Sequence, residues 1–204
     1  MPAISRIFDL RLFLLVLCLV AFSPDRFAFA QSLSAQSPPA GKDAVAASSD
    51  AKISFATLTG LAGTWKGQVT TDPPNPEING PIQVTMRVAS RGSVVVHEIA
   101  PGGMPEPTMI YVEDDRLTLV HYCEAGNRPR LVAGKSKDPN SVDFHFFDIS
   151  GSKNPTYLER FTFTVMDADH HTEDWTFLLP DNQTLHAHFD LKRVKARIPG
   201  ATQP

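Results

Sequence analysis

The sequence predicts an all-β fold, an antiparallel up-and-down β-barrel of about ten strands. Short runs of alternating apolar and polar residues recur from residue 64 to 194, broken by Gly, Pro, Asn and Asp. The connectors between runs are of hairpin length, too short for the crossovers that parallel strands require. No ordinary helix is expected, apart from a turn at 55–61 leading into the first strand. Closing ten such strands into a barrel also removes exposed sheet edges.

The runs follow in order. TWKGQVTT starts at Thr64, and a Pro-rich loop, DPPNPEINGP, separates it from IQVTMRVAS at Ile82. SVVVHEIA follows Arg91-Gly92. After PGGMPEP, TMIYVE starts at Thr108 and turns at Asp114-Asp115 into RLTLVHYC. RPRLVAGK, SVDFHFFDI, YLERFTFTVMD, HHTEDWTFLL and QTLHAHFDLKRV complete the set. Alternation assigns faces, because successive side chains of a strand point to opposite sides. Leu117, Leu119, His121 and Cys123 share one face. Phe161, Phe163 and Val165 share another, as do Trp175, Phe177 and Leu179, and then Leu185, Ala187, Phe189 and Leu191.

The N-terminus reads as a secretory signal. Arg6 and Arg11 precede an apolar run from Leu12 to Phe22, and Ala28-Phe29-Ala30 supplies small residues for cleavage. The run is about half the ~20 residues of a spanning helix, and a retained anchor is the alternative. The expected organisation is a signal peptide at 1–30, a disordered Ala/Ser/Pro-rich tether at 31–54, a barrel at 55–197 and a tail at 198–204. The expected location is periplasmic or secreted. Removing 1–30 takes away three arginines and two aspartates, which moves the net charge from −3 to −4. That mildly acidic balance, with no basic run, disfavours nucleic acid as a partner. No membrane span is expected in the mature chain.

Cys123 is then the one cysteine left, so no internal disulfide forms. Three readings of His121 and Cys123 stay open: a buried thiol beside a core histidine, a pair that contacts a ligand, or a nucleophile with its base. The last requires a thiol pKa lowered by a neighbouring cation. Arg128 and Arg130, beyond the Ala125-Gly126-Asn127 turn, are the nearest candidates. Asn127 is expected to take a positive φ or to cap local backbone groups. Arg130 either enters the barrel mouth or forms an external ion pair with Glu124 or Asp148. Glu98, grouped with Val94 and Val96, is expected to face inward as an internal acid, with Tyr111, His121 or Arg130 as its partner. His186 and His188 share a face with Asp190 and Lys192, which reads as solvent, so no metal site is assigned. Asp167 to His171 reads as a polar hairpin turn. No nucleotide or nucleophile-elbow motif occurs.

LAGTWKGQ opens the first strand with Gly-x-Trp, and LKR at 191–193 closes the last. This pairing resembles the calycin superfamily, which includes lipocalins, fatty-acid-binding proteins and the haem-binding nitrobindins. The resemblance implies a barrel-end plug in which Arg193 stacks on Trp65, a contact worth ~1–2 kcal/mol when desolvated. It implies that Gly63 and Gly67 permit tight bending there. It also implies that an internal arginine such as Arg130 holds a carboxylate. A haem ligand would fall at His186 or His188, but both lie on the polar face, so no cofactor is expected. Across 61–194, the segments DDRLTLVHYCEAGNRPRL, VMDADHHTEDWTF and HFDLKRV are similar to an uncharacterised family of exported bacterial calycin-like proteins. The leading expectation is therefore a barrel that binds a small apolar molecule, oriented by Glu98, Tyr111, His121, Cys123, Asn127 and Arg130. The rivals are an enzyme using His121 and Cys123, with Asn127 or Arg130 stabilising charge, and a plugged barrel that binds a partner through its surface, with the loop at 72–81 as the likeliest contact.

Overall fold

The computed structural model describes residues 42–195. A helix, α1 (Lys42–Gly60), leads into ten strands: β1 (Gly63–Asp72), β2 (Gly80–Ala89), β3 (Val94–Ile99), β4 (Glu106–Glu113), β5 (Arg116–His121), β6 (Asn127–Ala133), β7 (Ser141–Gly151), β8 (Tyr157–Asp167), β9 (His170–Leu178) and β10 (Thr184–Arg193). Every neighbouring pair is antiparallel, and β1 pairs with β10 to close the barrel. The closing register runs from Trp65 opposite Arg193 to Asp72 opposite His186. The ten sequence runs correspond one for one to these strands.

Three local features set the geometry. The β4–β5 turn places both Asp114 and Asp115 at positive φ, the combination whose twist matches a two-residue hairpin. The register shifts between Arg130 and Leu131 and again twice along β8, and such bulges bend a strand. At Gly67 the backbones of β1 and β10 approach so closely that a Cβ would sit 1.7 Å from the Asp190 carbonyl oxygen. Only glycine fits that seam.

The helix corrects one expectation. Residues 42–54 belong to α1 and not to a disordered tether, while 1–41 lie outside the described residues. Two physical causes act together. Alanines at 44, 46, 47, 51 and 56 favour helix. Ala51, half-buried Phe55 and Leu58 then recur on one face, and they pack into the barrel core. Among the described residues, no helix is long and apolar enough to cross a membrane.

The hairpin loops alternate between the two ends. One end is shut. Arg193 lies 4.2 Å over the ring of Trp65. Its guanidinium donates to the carbonyls of Gly60 (3.1 Å), Ala62 (2.7 Å) and Ala168 (2.9 Å). The Trp65 indole N–H donates to Leu61 O at 2.8 Å, which ties the end of α1 to the plug. Above it, Phe144, Phe161, Phe163 and Trp175 fill the interior with fully buried rings. The opposite end is open.

Candidate functional site

The open end contains a cavity of about 500 Å³. Five hairpin connections surround it, since it touches residues of the β1–β2, β3–β4, β5–β6, β7–β8 and β9–β10 loops. Its apolar wall includes Val69, Ile82, Trp175, Phe177 and Phe189. These are inward positions of β1, β2, β9 and β10, placed there by the two-residue period. Its polar side chains include Glu106, His121 and Cys123, with Asn79, Thr156 and Tyr157 also in the lining and the exposed Glu77 and Glu124 nearer the rim.

His121 is fully buried at the end of β5. Its Nδ1 pairs with Thr108 Oγ1 on the adjacent strand at 2.8 Å. Its Nε2 faces Glu106 Oε2 at 3.4 Å but has no partner in hydrogen-bond geometry. Burial lowers the imidazole pKa and outweighs the opposing pull of Glu106. Burial therefore favours the neutral form of His121. Cys123 lies past the end of β5, in the turn, and is half-buried. Burial first, and then the negative charge of Glu106, push its thiol up to about 12. A thiol in that state is protonated across the physiological range and is not a nucleophile.

Beneath the cavity lies a second polar group. Glu173 on β9 is fully buried, as are His97 on β3 and His171 on β9. Glu173 takes contacts from His97 Nε2 (3.0 and 3.1 Å), His171 Nε2 (3.1 Å) and the Trp175 indole N–H (3.0 Å). Burial alone would raise its carboxyl pKa. The two imidazoles outweigh burial, through charge and hydrogen bonds, and hold the carboxyl at about 2. Trp175 thus joins two layers. Its N–H is fixed to Glu173, and the same residue lines the cavity. The His171 and Trp65 rings meet edge-on with centroids 4.2 Å apart, so a chain of contacts runs from the plug to the cavity floor.

The sequence candidates divide. His121 and Cys123 reach the cavity. Glu98 does not: Val95, His97 and Ile99 form the inward face of β3, so Glu98 points outward, which corrects the expected internal acid. Tyr111 likewise alternates outward beside inward Ile110. It sits near Glu113 and Arg130, and burial followed by Glu113 raises its pKa. Arg130 takes the external alternative, paired with Asp148 and lying 5.0 Å over Phe147. Asn127 is buried within β6 and does not line the cavity. Its side-chain amide donates to Asn154 O (3.3 Å) and Thr156 O (2.8 Å), and the positive φ belongs to Gly126. His186 and His188 stay outside, against Thr176 and Asp174. No group of three or more metal-ligating side chains occurs among the described residues.

Sequence reasoning missed Glu106, His97, His171 and Glu173 as site members. Parity was the available signal for two of them. His171 and Glu173 share their face with Trp175 and Phe177. Glu106 carried no such signal, because it follows Met104-Pro105 at the very start of its strand.

The arrangement defines a closed ten-stranded antiparallel β-barrel, plugged at one end and hollow at the other. A scan against protein-family models and a search of curated proteins each found no match. Among solved structures the chain is similar to Rv2717c from M. tuberculosis, with a TM-score of 0.51, 14% identity, and coverage of 69% of this chain and 97% of that one. It is also matched by a protein of unknown function of the DUF3598 family from Nostoc punctiforme PCC 73102, with a TM-score of 0.48, 9% identity, and coverage of 67% of this chain and 48% of that one. At 14% identity the likeness to Rv2717c concerns the fold alone.

Proposed function

We propose that this protein is a calycin-like carrier that binds a small, largely apolar molecule in the open end of its barrel. The observation that carries this reading is the cavity of about 500 Å³, within the ~300–1,000 Å³ typical of small-molecule sites. Its wall is mostly apolar, and its few polar groups converge at Glu106 and His121. Such a division supplies burial from the wall and orientation from the polar groups. The raised pKa of Cys123 argues against the rival thiol enzyme. The filled lower half of the barrel is compatible with binding, because the hollow lies above it. We further propose export, on the strength of the signal-like segment at 1–30. Native mass spectrometry of protein purified without denaturation tests the function. The expected result is a releasable extra mass of small-molecule size. A chain that stays bare, and stays bare when offered apolar probes such as decanol, would sink the carrier reading.

A further inference from the structure

We infer that the cavity selects an apolar amine, with its ammonium at Glu106 and its hydrocarbon body against Trp175, Phe177 and Phe189. This rests on the reading that the cavity takes a small molecule, and it names the chemical class.

The charge distribution comes first. Three glutamates line the cavity, Glu77, Glu106 and Glu124, and no lysine or arginine does so among the described residues. Arg130, the side chain best suited to a carboxylate ligand, is held outside by Asp148. An anionic ligand would therefore find no cationic side chain in the lining and three acidic ones.

Glu106 is the deepest of the three by position. Its side chain is 14% exposed and approaches His121 at 3.4 Å. Burial favours the neutral imidazole, so His121 does not cancel the charge of that carboxylate. Among the described residues, no lysine or arginine pairs with Glu106. The Cys123 thiol beside it is also neutral. The result is a carboxylate in an apolar cavity with its charge unmatched, next to a buried imidazole nitrogen that lacks a hydrogen-bond partner. With Nδ1–H donating to Thr108 Oγ1, Nε2 is an acceptor, and a cation with more than one N–H answers both groups at once. A primary ammonium satisfies this, whereas a hydroxyl brings one proton and no charge.

The test is calorimetric titration of the full chain at pH 7 with three ligands of equal chain length: decylamine, decanol and decanoate. The amine is expected to bind at least about tenfold tighter than the alcohol, since an ion pair in a low-dielectric cavity exceeds a neutral hydrogen bond. Decanoate is expected to bind weakest. In Glu106→Gln the advantage of the amine over the alcohol is expected to shrink to within about threefold. Decanoate binding as tightly as decylamine overturns the inference, and so does an amine preference that survives Glu106→Gln. Decanol equal to decylamine overturns amine selectivity and leaves the carrier reading standing. Failure of all three ligands overturns the carrier reading, and this inference with it. If Glu106→Gln fails to fold, the comparison of the three ligands on the natural chain decides alone.

Discussion

Replacing Glu173 with alanine should destabilise the barrel more than almost any other polar substitution. The carboxylate is fully buried and receives three N–H groups, from His97, His171 and Trp175. Its removal strands all three inside the core. Each stranded buried donor costs about 1–3 kcal/mol. Breaking a buried charged pair by removing one partner costs about 3–5 kcal/mol, and that range is the expected loss. With a urea m-value of about 2 kcal/mol/M, a loss of 4 kcal/mol lowers the midpoint by about 2 M. A pH series adds a second readout. The folded carboxyl stands at about 2 against an ordinary 4.5. Because its folded pKa is depressed, its contribution is present above pH 4.5 and is lost as pH falls through 2. The gap amounts to about 3 kcal/mol at about 1.4 kcal/mol per pH unit. Glu173→Gln should flatten that part of the acid limb. Equilibrium urea unfolding, followed by circular dichroism at several pH values, measures both effects. A Glu173→Ala loss under about 1 kcal/mol, together with an unchanged acid limb, would refute the reasoning.

Three further outcomes follow from the same geometry. Cys123 should react slowly with a thiol reagent in the native protein and quickly after unfolding, given a thiol at about 12; comparable rates in the two states would contradict its burial. Gly67→Ala should cost about 1–3 kcal/mol or more in thermal melts, because the new Cβ collides with Asp190 O; an unchanged melting temperature would mean that the β1–β10 seam is looser than described. Arg193→Lys should lose about 2 kcal/mol, since a lysine cannot stack on Trp65 while donating to three separate carbonyls; stability equal to the natural chain would show the plug to be dispensable.

The fold was readable because strand signals repeat. Runs such as RFTFT and HHTEDWTF alternate cleanly, and their faces follow from parity. The same rule failed in VVVHEI. There Val94, Val96 and Glu98 look as apolar as Val95, His97 and Ile99, and only pairing with β2 and β4 decides which set faces inward. Parity puts Glu173 on the face of Trp175, but the sequence does not show what would pair with a buried acid there. Its partners, His97 on another strand and His171 two residues before it, converge only when the barrel closes. The helix escaped notice because its apolar stripe is sparse. Ala51, Phe55 and Leu58 gain stability from the barrel they cover, and not from the helix alone.

The central claim, an open ligand cavity, is tested most directly by filling it. Ala187 is 4% exposed and lines the cavity on β10, opposite Trp175. Titration of the natural chain and Ala187→Phe with the neutral dye nile red, followed by dye emission, compares a hollow barrel with a filled one. Saturable one-to-one binding by the natural chain is expected, with loss of that binding in the variant while its circular dichroism spectrum stays intact. Equal binding by both proteins would place the dye on the surface and contradict the cavity as the binding site.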